Sequence, residues 1–188
     1  MAKTIAFAVD KGGTGKTTTV ANTAAGLAAK GYKVLAVDTD QQANLTKTYF
    51  CDLPTQSMYD SLLDESVPLP TVRVRDNLDI VPASSRMFGI GIKMIEDNTR
   101  TRTSGQEALD YRWVLNRLLT PIAQRYDYVL VDCPPSDNIM TYNALFAADE
   151  IVIVANPEPY CVDAVRNFCE IIRTVRRSGH QLYFPDLG

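Results

Sequence analysis

The chain has 188 residues, 46% of them hydrophobic and 22% charged, with a formal net charge of −3. That length suits one compact domain with a real core, and that balance is the one soluble globular proteins carry. No stretch approaches the roughly 18 consecutive apolar residues of a membrane span, and the charge rules out a wholly basic nucleic-acid binder while leaving room for a local basic patch.

Taken in chain order, Met-Ala-Lys leads straight into an apolar segment at 4–9, closed by Asp10 and Lys11. With no signal-peptide core or cleavage site there, a cytoplasmic location is expected. Segment 4–9 reads as a buried strand and 12–15 as a tight glycine turn. Residues 16–30 read as a helix, with Val20, Ala24, Leu27 and Ala28 on one face and Gly31 at its end. The second strand is 33–38. From 41 to 70 the pattern weakens, with a short helix at 58–63 and then a loop rich in proline and acid. Residues 78–82 read as a strand and 105–124 as a helix, on which Ala108, Tyr111, Leu115, Leu118, Leu119 and Ile122 recur at helical spacing. Pro121 should bend or shorten its last turn. Two apolar strands follow at 128–132 and 150–155, both expected to be central, with a helix at 137–148 between them. A helix over 162–177 comes next, and 181–184 begins a further strand. Strands alternating with helices predict an α/β fold, a mostly parallel twisted sheet with helices on both faces. No repeat, low-complexity tract or linker divides the chain, so 1–188 is expected to be one domain.

Cys51, Cys133, Cys161 and Cys169 form no CxxC pair, and His180 is the only histidine. Structural zinc is therefore not expected, and the thiols read as small buried hydrophobes.

The chemistry concentrates in the run Lys11, Gly12, Gly13, Thr14, Gly15, Lys16, Thr17, Thr18, placed between a strand and a helix. Glycines let backbone N–H groups converge on phosphate oxygens, and the helix start adds its positive dipole end. Lys16 would neutralise the β and γ phosphates, and the Thr17 hydroxyl would ligate Mg2+. The strict GxxxxGK[ST] pattern fails because Asp10 stands at its first glycine. Two further acids end strands, where ligands sit in open α/β sheets. Asp38 and Asp40 follow the second strand, on one side of it by alternation, and Asp132 closes 128–132, followed by Cys-Pro-Pro-Ser. Asp132 could serve a metal or cap the next helix.

Lys11 to Thr18 resembles the deviant Walker A motif, KGGxGKT, of the ParA/MinD family of P-loop ATPases. Asp38 to Gln41 is similar to that family's DxDPQ segment, with Gln41 where proline is usual, and Asp132 to Ser136 matches its Walker B and switch segment, with Asp137 and Asn138 in place of leucine and glycine. The likeness continues through Thr141 to Leu145 and Pro157 to Tyr160 and is greatest to the small, Soj-like partition proteins. It implies an ATP-hydrolysing protein using ATP and Mg2+, with Lys11 reaching the nucleotide of the partner subunit in an ATP-dependent homodimer. In that scheme Asp40 positions the attacking water or the metal shell and Asp132 holds a metal-bound water. It further implies non-specific DNA binding, a ParB-like centromere-binding partner, nucleoid association, and an adenine-contacting loop beyond Gly188, so that a truncated domain is expected. Arg166, Arg173, Arg176 and Arg177 against Glu170 make a local charge of +3 in an acidic chain. Arg173, Arg176 and Arg177 are candidate DNA contacts, and equally an ordinary solvated helix face. A MinD-like membrane-cycling or other positioning ATPase and a metabolic P-loop kinase or synthetase remain as alternatives. The first would need a basic amphipathic C-terminal helix, which 181–188 does not supply.

Overall fold

The computed structural model describes residues 2–103 and 110–184. In chain order it contains β1 (Lys3–Ala8), α1 (Lys16–Ala29), β2 (Val34–Asp38), α2 (Asn44–Tyr49), α3 (Met58–Leu63), β3 (Val72–Arg75), β4 (Leu78–Val81), α4 (Ile90–Thr103), α5 (Val114–Ala123), β5 (Tyr128–Asp132), α6 (Ile139–Ala147), β6 (Glu150–Ile153) and α7 (Pro159–Arg177). The strands form one sheet in the order β3-β4-β2-β5-β1-β6. All neighbours pair in parallel except β3 with β4.

Alternation along the strands sorts side chains onto two apolar layers. Ala6, Ala8, Leu35, Val37, Val129 and Val131 face the layer filled by α3, α5, α6 and α7, whereas Phe7, Val34, Ala36 and Leu130 face α1 and α2. Strands buried on both faces read as continuous apolar runs, and helices on either side cover them. On α1, Val20, Ala24 and Ala28 recur every fourth residue and are buried; two alanines on that stripe let the helix lie close to the sheet. Helix α6 starts at Asn138, whose Oδ1 accepts from the backbone N–H of Met140 and Thr141. The single tryptophan, Trp113, packs at a tilt against Phe146 of α6 at 4.7 Å between ring centres and meets the His180 ring edge-on at 5.2 Å.

The expected α/β architecture is therefore present, with particular departures. The strand at 150–155 was expected to be central; among the described residues β6 is an edge strand, met on its outer side by a single bridge between Glu150 and Tyr183. That bridge is all that forms of the strand expected at 181–184. Three elements escape the sequence reading, α2, β3 and α4. The Val72, Arg73, Val74, Arg75 alternation half-buries its valines, and Asn77, at φ 59, turns the chain back into β4. Helix α4 buries Ile90 and Met94 and leaves Ile92 and Ile95 exposed, and with no apolar residue between Glu96 and Thr103 the sequence gives no sustained period there. The expected helix at 105–124 begins within residues that lie outside those described; from residue 110 onward a short 3-10 turn, Tyr111–Trp113, precedes α5, which ends two residues after Pro121. Among the described residues no helix is long and apolar enough to cross a membrane.

Candidate nucleotide site

Three adjacent strands, β2, β5 and β1, deliver their C-terminal ends to one place. The register sets Asp38 beside Asp132 and Asp132 beside Phe7, and the ladder runs on through Thr39 N–H to Asp132 O at 3.1 Å and Cys133 N–H to Phe7 O at 3.2 Å. The loop after β1 turns at Gly13, φ 74, and Gly15, φ 90, left-handed conformations in which any side chain would be strained. A Cβ built on Gly12, Gly13 or Gly15 would meet nothing within 4 Å. These glycines border open space, a cavity of about 300 Å3 lined by the loop from Gly12 to Thr18 together with Asp40, Asn44, Cys133 and Pro135. A cavity of about 380 Å3 between α4 and α6 has no charged side chain in its lining, and a larger one of about 680 Å3, lined by Arg166, Glu170 and Arg173 of α7, contains no residue of the glycine loop. The chemistry lies over the glycine loop.

Lys16, the first residue of α1, is buried, and its ammonium donates to the carbonyls of Lys11 at 2.7 Å and Val9 at 3.3 Å. Burial holds its pKa below the usual lysine value, against the pull of Asp132, Cys133, Asp40 and Asp10. The two acids after β2 are not equivalent. Asp38 is fully buried and accepts from Thr46 N–H, the Thr46 hydroxyl and Asp40 N–H, so it is spent on anchoring the start of α2. Burial nevertheless pushes its carboxyl up to about 6. Asp40 accepts from Gln42 N–H at 2.9 Å and lines the cavity. Alternation along β2 thus does not carry over into a shared role.

Asp132 is 1% exposed, and neither of its carboxylate oxygens has a hydrogen-bond partner; the same holds for the buried Thr14 hydroxyl. Burial first, then the Asp38 and Asp40 carboxylates, push Asp132 up to about 7, with the Thr17 hydroxyl and Lys16 pulling the other way. A buried acid left without partners is costly unless a cation or water completes it. Helix α6 is capped by Asn138, so Asp132 is not used there. A hydrated magnesium ion fits this donor set, since it keeps several waters and takes one or two carboxylates beside phosphate oxygens. Among the described residues no group of three or more His, Cys, Asp or Glu side chains is placed to hold a metal alone.

A family model described as an AAA domain matches residues 2–183. The sporulation initiation inhibitor protein Soj of Bacillus subtilis is 35% identical over 181 residues, covering 94% of this chain and 67% of that protein. The chain belongs to the ParA/MinD family of P-loop ATPases. Within that family it spans about two thirds of the length of the curated relatives it matches. Solved structures agree on the fold. Cobyrinic acid a,c-diamide synthase from Mycobacterium smegmatis, with bound ADP and magnesium, superposes with a TM-score of 0.85 at 29% identity, over 97% of this chain and 71% of that one. A putative plasmid partition protein from Borrelia burgdorferi bound to AMPPNP gives 0.77 at 25% identity, over 94% and 70%.

Sequence reasoning placed Gly12 to Thr18, Asp40 and Asp132 in one neighbourhood, and the structure brings them together there. It missed Thr46, which holds Asp38 from eight residues away, and Glu158, which meets Lys11 at 2.8 Å. Glu158 carries no local signal, because the pairing depends on β6 lying beside β1. The candidate DNA contacts lie elsewhere, on α7. Arg173 pairs with Glu170, and Arg166 lies 3.7 Å from Asp163, an acid just outside the window that gave the local charge of +3. Arg176 donates to the carbonyls of Leu182 at 3.0 Å and Phe184 at 2.5 Å, and Arg177 is exposed.

Proposed function

We propose that the chain is an ATP-hydrolysing partition protein that dimerises on MgATP, binds DNA non-specifically at the nucleoid and is released when a ParB-like partner stimulates hydrolysis. The observation that carries this reading is the unpartnered, buried Asp132 carboxylate beneath a glycine loop bearing two lysines. Lys16 would exchange its two loop carbonyls for the β and γ phosphates, and the loop N–H groups would cradle the rest. Thr17 would ligate Mg2+ directly, with Asp132 and Asp40 holding its waters. When bound, the ion would draw charge off the transferring phosphoryl group. Asp40 would orient the attacking water, and Lys11 would reach the nucleotide of the partner subunit. No residue of the cavity is a strong general base, which suits slow hydrolysis awaiting a stimulating partner.

Kinship with Soj and with a plasmid partition protein supports the cargo-moving part of this reading. A metabolic synthetase is the second reading, favoured by the likeness to cobyrinic acid a,c-diamide synthase. Binding to random duplex DNA, measured with and without MgATP across a salt series, separates them. The partition reading expects nucleotide-dependent, salt-sensitive binding. Absence of DNA binding, together with ATP consumed in proportion to a carboxylic acid substrate, would favour the synthetase.

A further inference from the structure

The lysine that this reading sends to the partner subunit does not extend into solvent. Its ammonium donates to Glu158 Oε2 at 2.8 Å and lies 3.5 Å from the buried Cys161 sulfur, and its side chain is 26% exposed. Glu158 directly precedes α7 with extended backbone, φ −117 and ψ 145, the position from which a short polar side chain accepts from the first free N–H groups of a helix. It makes no such bond. Its carboxylate is turned to the glycine loop instead, joining residues 147 apart in sequence. The backbone of the same lysine is held as well, since Lys11 O accepts from Lys16 at 2.7 Å. Lys16 therefore grips the loop at Lys11, and Lys11 grips the start of α7.

We infer that Glu158 is a positioning residue for Lys11, holding the lysine on its own chain until the nucleotide of a second copy draws it away. This rests on the dimer reading above. A phosphate chain that recruits Lys16 takes away the bond to Lys11 O, leaving Glu158, with the weaker Cys161 sulfur contact, as the polar hold on Lys11 among the contacts described. That hold is weak by construction. Glu158 is 57% exposed, and an ion pair so open to water gives about a two- to fivefold equilibrium preference. A triphosphate carries more charge than one carboxylate and can outcompete it. Because a symmetric dimer must break two such pairs, removing them should tighten the dimer about four- to 25-fold.

Two measurements on the 188-residue chain test this. In nucleotide-free protein, competitive labelling of amines read by mass spectrometry should show Lys11 more reactive in Glu158→Gln than in wild type, because the paired carboxylate keeps the ammonium protonated. Glu158→Asp, which keeps the charge, should stay near wild type. In MgATP, sedimentation should show the Glu158→Gln dimer tighter by the stated factor, and Lys11→Ala should form no dimer in either background. Unchanged Lys11 reactivity in Glu158→Gln, or a dimer no tighter than wild type, overturns the inference. A wild-type chain that binds MgATP yet stays monomeric overturns the dimer reading instead, and the labelling result still decides whether Glu158 holds Lys11.

Discussion

Lys16, at the start of α1, and Asp132, at the end of β5, are opposite charges in one neighbourhood, and burial disfavours the charged form of each. Lys16 has loop carbonyls to donate to; no well-formed hydrogen bond completes Asp132, on which only the Thr17 hydroxyl and the Lys16 charge exert a favourable pull. Lys16→Ala should therefore lower nucleotide affinity about 30-fold or more, the scale for removing one partner of a buried charge contact, as checked by calorimetry with MgATP. Asp132 makes a pH prediction with a definite sign. Its folded value of about 7 lies above the ordinary carboxylate value of 3.8, so ionisation costs the folded state. The contribution to stability is complete below the ordinary value and is lost as pH rises through about 7, and Asp38, at about 6, acts in the same direction. Asp132→Asn, which imitates the neutral acid, should raise the melting temperature of nucleotide-free protein at pH 8 and do so progressively less as pH falls to 5. Equal gains at both pH values would show that Asp132 titrates normally.

At the level of elements, the segment between β5 and α6 is set by a short polar side chain. Asn138 Oδ1 satisfies two N–H groups at the start of α6, and its amide donates to the Ser136 hydroxyl at 2.7 Å. Asn138→Ala should cost about 1 kcal/mol in urea denaturation. The same element shows where sequence reading succeeds. Residues 128–132 and 58–63 were read to the residue, because a five-residue run buried on both faces and a compact apolar turn each leave only one solution. β6 was misplaced because an apolar run fixes that a strand exists, not which neighbours it has. α4 was missed because its apolar residues, Ile90, Ile92, Met94 and Ile95, are confined to its first half, and the polar run from Glu96 to Thr103 carries no helical apolar period. The glycine loop and Asp40 were legible because phosphate chemistry constrains residue type and spacing together. Glu158 was not, since its contact is decided by strand order.

For the whole molecule, net charge and local charge act differently. The chain is acidic, yet α7 ends in Arg176 and Arg177 and carries Arg173 in an exposed pair with Glu170. If α7 meets the phosphate backbone, Arg173→Ala and Arg177→Ala should each flatten the dependence of log affinity on log salt by about one unit, for any duplex sequence. Arg176→Ala should behave otherwise. Its guanidinium fastens the carbonyls of Leu182 and Phe184, so its loss should cost about 1 to 3 kcal/mol of stability, seen by denaturation without DNA.

The lone indole touches a helix of the second half of the sheet and a ring lying beyond α7, so three stretches remote in sequence share one chromophore environment. Selective excitation of that indole thus turns this chain into its own optical gauge of whether those stretches have come together. No dye or engineered label is required to follow its folding.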